Sequence, residues 1–227
     1  MPRRRHPKGS CAYCGAEKLD NEMATHLAPC RKRRAVIAKA ERRKTIREKL
    51  YHLRVQDAWG GDFCLDLEMR GTATLQDLDE YLRAIWLECC GHMSRFSIGG
   101  WKGAEIVKNR TAAEVFKPRI TLTHIYDFGT SSETLIRFIE TREGKAMTPY
   151  PIALMARNVI PDAFCIERKR PAVWLCMECV IEDEIWGFLC KEHVKSHPHE
   201  GDGEPIRIVN SPRLGLCGYR GPANPPY

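Results

Sequence analysis

Two stretches of the chain carry residues that can do chemistry by type and spacing, and in both the chemistry is metal ligation. Near the N-terminus, Cys11-Ala-Tyr-Cys14 is followed by His26-Leu-Ala-Pro-Cys30, the pattern C-x2-C-x11-H-x3-C. Two thiolates on a tight turn and a His/Cys pair one helical turn apart supply the four nitrogen and sulfur donors that Zn2+ takes in tetrahedral geometry. Gly15 suits the turn, and a short helix over 20–27 would present His26. So short a segment has too few large apolar residues to fold without an ion. Further on, Cys176-Met-Glu-Cys179 and Cys190-Lys-Glu-His193 form C-x2-C-x10-C-x2-H. This predicts a second zinc on Cys176, Cys179, Cys190 and His193, in a zinc-ribbon or treble-clef-like module. His197 and His199 are alternatives to His193, and Cys165 is either a packed thiol or a ligand of a further site. The expectation is two structural Zn2+ ions, because closed Cys/His quartets leave no open position for a reacting water.

The charge is uneven. Residues 1–50 hold 15 Lys or Arg against 5 Asp or Glu, a balance of +10 in a chain whose formal net charge is +7. Residues 31–50 lack Gly and Pro and are predicted as one basic helix. Arg31, Lys32, Arg33, Arg34, Lys39, Arg42, Arg43 and Lys44 are the candidate nucleic-acid contacts, since basic side chains gain affinity by releasing counterions condensed on phosphates. Nothing in this stretch predicts base specificity. The same charges suit a solvated connector, or an arm against an acidic partner subunit.

These groups need elements to hold them. The strongest periodic signal is 74–92, where Leu75, Leu78, Leu82, Ile85, Trp86 and Cys89 recur at spacings of three and four and so define one apolar helix face. Thr74 and Asp77 give an N-cap signal and Gly91 a stop. Strands are expected over 51–55, 63–69, 95–98, 119–126, 134–141 and 207–209, with a turn over 127–133 and a short helix over 111–116. The fold class is α+β: a small mixed sheet crossed by one main amphipathic helix, a β-grasp-like roll. It is flanked by a finger (1–30) with its basic helix (31–50) and by the C-terminal zinc module (158–227), around a core of 51–157. Asp127-Phe128-Gly129 reads as a turn, because no glycine-rich loop or H-R-D precedes it. Cys89, Cys90 and His92 read as core packing, since adjacent cysteines on a helix point about 100° apart.

The 43% hydrophobic and 8% aromatic fractions describe a folded chain. No run of 18 apolar residues and no apolar segment after the first arginines is present, so neither a membrane span nor a secretory signal is expected, and the expected location is cytoplasmic. Partners are therefore sought among nucleic acids and proteins. The leading function is a zinc-binding protein that contacts nucleic acid non-specifically. One alternative is a protein-interaction scaffold with purely structural zincs, using a sheet edge or the Trp59 and Trp101 loops. The less favoured alternative is a metal-assisted hydrolase gathering Asp127, His124, His92 and Glu88 in the core.

Tyr51-His-Leu-Arg-Val55, Thr74-Leu-Gln-Asp-Leu78, Phe96-Ser-Ile98 and Ile125-Tyr-Asp-Phe-Gly129 resemble the plasmid pRiA4b ORF-3-like domain family. Leu82 to His92, Ala156-Arg-Asn158, Val209 to Arg213 and Cys217-Gly-Tyr219 are similar to a branch of bacterial proteins with zinc modules at both ends. The resemblance implies a small α+β core and this architecture, and it implies no reaction or catalytic residue. It also implies a second Cys three positions after Cys165, where this chain has Arg168.

Overall fold

The computed structural model describes residues 7–59, 62–87, 90–198, 204–216 and 219–221. Among them the first strands are β1 (Lys8–Cys11) and β2 (Glu17–Leu19), followed by helices α1 (Asp20–Leu27) and α2 (Arg31–Glu41). Strands β3 (Glu48–Asp57) and β4 (Cys64–Arg70) precede helix α3 (Leu75–Leu82). Next come β5 (Ser94–Ser97), β6 (Glu105–Ile106), α4 (Ala112–Val115), β7 (Thr121–Tyr126), β8 (Ser132–Gly144) and β9 (Ile152–Asn158). The sheet they form has nine strands in the order β2-β1-β9-β4-β3-β8-β7-β5-β6. Every described pairing in it is antiparallel. The expected small mixed sheet is thus a large antiparallel one, and no described ladder joins its ends into a roll.

Helix α3 forms where its periodicity places it. The Thr74 hydroxyl accepts from Asp77 N at 3.2 Å, and the Asp77 carboxylate accepts from Thr74 N at 2.7 Å, so two orphan donors are satisfied reciprocally. Its last turn widens into a π-helical segment, Arg83–Leu87. Leu75, Leu78, Tyr81, Leu82, Ile85 and Trp86 pack on Leu53, Val55, Leu65, Leu67, Met69 and Ile136 from alternate positions of the sheet. Gly91 has φ +69°, a backbone conformation that glycine enters without a Cβ clash. Cys89 lies outside the described residues, and Cys90 is exposed rather than packed.

The other face of the sheet departs from the alternation rule. His52, Arg54, Gln56, Asp66 and Glu68 occupy the positions that alternate with the core, yet all are buried. The N-terminal module covers them. His52 Nε2 lies 2.7 Å from Asp66 Oδ1, Arg54 donates to both Asp66 oxygens, and Gln56 Nε2 donates to Asp20 Oδ2 at 3.1 Å. Buried charge is tolerated only when paired in this way. Strand β1 also pairs with β9, Cys11 opposite Ala156, so the finger is continuous with the core sheet. The predicted basic helix is shorter than expected: it ends at Glu41, and Glu48 already begins β3.

The C-terminal part holds a second sheet of β10 (Trp174–Cys176), β11 (Gly187–Leu189) and β12 (Ile206–Arg207), with α5 (Met177–Ile181) following β10. It is tied to the core helix through Ser211 Oγ, which donates to Trp86 O at 2.5 Å, and Tyr219 Oη, which donates to Ala84 O at 2.9 Å.

Candidate metal centres

The N-terminal quartet assembles from four pieces of backbone. Cys11 ends β1, Cys14 sits in the turn closed by Gly15 N donating to Cys11 O at 2.8 Å, His26 lies in the last turn of α1, and Cys30 is the N-cap of α2. Gly15 has φ +73°, the conformation for which glycine was expected there. The four ligand atoms lie within 4.8 Å of one another, and Cys14 Sγ is 3.3 Å from His26 Nε2. Donors about 2.0–2.3 Å from one tetrahedral ion stand about 3.3–3.8 Å apart, so the set fits zinc. Burial pushes the Cys11 thiol up to about 11. Burial also opposes ionisation of Cys30, but the backbone N–H of Arg33 and the Cys14 and Cys11 side chains outweigh it and lower that thiol. Ionising the buried thiols together is costly without a cation to compensate them.

The C-terminal ligands group differently from the quartet read from spacing. Cys176 and Cys179 lie with His197, whereas Cys190 and His193 lie with Cys165; within each group the ligand atoms are within 4.8 Å. Strand register explains the division. Cys176 pairs with Gly187 and Trp174 with Leu189, so Cys190 leaves the hairpin at the end opposite Cys176. Three strand residues span about 10 Å, too far for a shared ion. Cys165 reaches Cys190 because Ile166 N donates to Phe188 O at 2.9 Å, and its Sγ is 3.1 Å from His193 Nδ1. The turn in which His197 N donates to His193 O carries His197 back, placing its Nε2 3.3 Å from Cys179 Sγ. Burial would raise the Cys165 thiol, but the backbone N–H groups of Cys190, Arg168 and Glu167, with the His193 ring, bring it down to about 7. Burial and the adjacent Cys176 push Cys179 up to about 12. His199 lies outside the described residues. Glu167, which the spacing did not single out, faces both histidines, 3.2 Å from His193 Nδ1 and 3.4 Å from His197 Nδ1.

Of the basic residues proposed for phosphate contact, Arg31, Lys32, Arg34, Lys39, Arg42, Arg43 and Lys44 are exposed. Arg33 is not: it is buried, donating to Leu27 O at 3.3 Å and pairing with Glu68 at 3.5 Å. It is therefore a structural residue of the sheet's polar face.

The core residues considered for hydrolysis fall into two networks. His124 and Ser94 both meet Asp79 Oδ1, at 2.7 and 2.6 Å, while Arg83 and Lys108 donate to Asp79 Oδ2 at 2.9 Å each. His92 Nε2 lies 3.6 Å from Asp127 Oδ2, which Arg213 also engages at 3.0 Å. Asp127 Oδ1 accepts from Gly129 N and Thr130 N, so the Asp-Phe-Gly triplet is a turn, as expected. Glu88 lies outside the described residues.

No protein-family model matches the chain, and no curated protein matches it. Among solved structures, a protein of unknown function from Methanosarcina mazei Go1 is 20% identical, with a TM-score of 0.40. The match covers 46% of this chain and spans 66% of that one. A likeness of that score carries no weight for fold or function.

Proposed function

We propose that this is a zinc-binding protein whose N-terminal finger and α2 form a contact surface for nucleic acid. The observation that supports the reading is the division of labour along α2. Ala40 is buried and Val36 and Ile37 are half-buried against Met23, Leu27, Met147 and Met155, while Arg31, Lys32, Arg34, Lys39 and Arg42 stand in water. A helix fixed on one side and basic on the other suits a phosphate backbone, and it gives no means of reading bases. Duplex DNA and RNA binding measured by fluorescence anisotropy against salt tests this. Replacing Lys32, Arg34, Lys39 and Arg42 with Ala should reduce the slope of log affinity against log salt by about 3.5 on duplex DNA. Absence of binding at low salt, or an unchanged slope, contradicts it. The core's resemblance to the pRiA4b ORF-3-like family fits this reading and adds no reaction to it.

A protein-scaffold reading has its own support. Trp59 is 77% exposed and Trp186 55% exposed. Both line a cavity of about 580 Å³ that also contains Phe63, Phe188 and Leu214. Recovery of a salt-resistant protein complex that Trp59→Ala abolishes would favour that reading over nucleic acid.

A further inference from the structure

The C-terminal module carries more metal-ligating side chains than one ion needs, and they are sorted alternately along the chain. Cys165 belongs with Cys190 and His193, while Cys176 and Cys179, which fall between them in sequence, belong with His197. Among the described residues each group provides three nitrogen and sulfur donors, against the four that structural zinc takes. Three features of Glu167 bear on how these groups are held.

First, Glu167 Oε2 is 3.2 Å from His193 Nδ1, the same nitrogen that lies 3.1 Å from Cys165 Sγ. That oxygen is not among the ligand atoms that Cys165, Cys190 and His193 bring within 4.8 Å of one another, so the carboxylate touches the His193 ring from outside the group. Second, the other oxygen, Oε1, is 3.4 Å from His197 Nδ1, while His197 Nε2 turns to Cys179 Sγ at 3.3 Å. A histidine that ligates through one nitrogen and gives its other N–H to a carboxylate is the usual outer arrangement of a zinc site. Third, the competing acid is occupied elsewhere. Glu192 Oε2 lies 3.1 Å from Cys190 Sγ, but its Oε1 pairs with Arg170 at 3.2 Å, and 58% of its side chain is exposed against 43% for Glu167.

We propose that Cys165, Cys190 and His193 bind a zinc ion of their own, apart from a second ion on Cys176, Cys179 and His197, and that the Glu167 carboxylate orients His197 toward that second ion. The proposal rests on the zinc-binding reading and goes beyond it in number, ligand identity and coupling. Two ions held alternately clip the segment before β10, the β10–β11 hairpin and the His193–His197 turn to one another. Loss of the Glu167 carboxylate would release the outer-shell support of His197 and weaken the ion that ring helps to hold.

The test is a metal count on the full chain purified in the presence of Zn2+ and then dialysed, with affinities from competition against a chromophoric chelator. Wild type should hold three ions, counting the one at Cys11, Cys14, His26 and Cys30, and Cys165→Ser should hold two. Glu167→Gln, an exposed and nearly isosteric change, should weaken one ion about tenfold through the lost support of His197, while Glu192→Gln should leave all three unchanged. Two ions in wild type with no loss in Cys165→Ser, or Glu167→Gln binding as wild type does, overturns the proposal while leaving the zinc-binding reading standing. A chain that retains no zinc overturns both.

Discussion

Arg33 and Glu68 pair across the buried interface between the finger module and the sheet, with 9% and 4% of their side chains exposed. The pair explains why one arginine in an otherwise solvated basic run serves the fold. Glu68 also accepts from Arg142 Nη2 at 2.6 Å and Nε at 2.8 Å, so the carboxylate sits between two guanidinium groups.

Removing Arg33 should therefore behave unlike removing its neighbours. Arg33→Ala leaves Glu68 with one partner and should cost about 2 kcal/mol in chemical denaturation, less than a fully orphaned buried charge would. Lys32→Ala and Arg34→Ala should stay within about 0.5 kcal/mol of wild type, because both are exposed. The prediction fails if all three variants lose stability alike.

Among the described residues Trp86 is the largest side chain fully buried in the core, and its indole N–H meets no hydrogen-bond partner there. Trp86→Ala should cost about 3–5 kcal/mol through the cavity it leaves. Trp86→Phe should cost clearly less, since it removes an unsatisfied donor along with some volume. Equal losses in the two variants would mean that the segment after α3 is not packed as described.

Acid should weaken the fold through the Asp79–His124 pair. Burial holds His124 below its usual value near 6.5 despite the carboxylate beside it, and its Nδ1 meets no partner among the described residues, as suits a neutral ring donating from Nε2. Burial would raise Asp79, but His124, Ser94 and Lys108 hold its carboxyl well below the ordinary range. In both cases the unfolded chain binds more protons than the folded one, so stability rises with pH. The His124 contribution is present above about pH 6.5 and is lost below it. The Asp79 contribution is lost further down, as pH falls below its ordinary value of 3.8. Denaturation midpoints of wild type and His124→Asn measured from pH 7.5 to 5 should converge as pH falls. Parallel profiles would contradict this assignment.

Much of this was legible because it is local. The N-terminal quartet lies within 20 residues on a turn and two short helices, so spacing alone assembles Cys11, Cys14, His26 and Cys30. The N-cap at Thr74 and the apolar stripe of α3 are equally local. What escaped depends on pairing between distant segments. The hairpin register that parts Cys176 from Cys190 is not written in C-x2-C-x10-C-x2-H. His52, Arg54 and Glu68 fit the polar half of an alternating strand, and only the finger docking over them makes that face a buried one. Strands β1 and β9 lacked a clean alternating pattern, because β1 is short and β9 is sandwiched between β1 and β4.

Chelation should loosen the two ends and spare the centre. The apolar cluster of the C-terminal module consists of Cys176, Cys179 and Leu189 with Trp174 and Val194 against it, too little to fold without its ions. After stripping with a strong chelator, amide exchange should accelerate in β10 and β11 and in α1, while Leu53, Leu67 and Ile136 in the central strands keep their protection. Unchanged exchange at the ends would mean that the cysteine groups are not metal-dependent.

Whether the clustered cysteines and histidines hold zinc can be read from anomalous scattering at the zinc absorption edge, using crystals of protein purified without added metal. A peak is expected among Cys11, Cys14, His26 and Cys30, about 2.0–2.3 Å from each ligand atom, with further density among the C-terminal ligands. Sulfur atoms bonded in disulfides at these positions, with no anomalous peak, would contradict it.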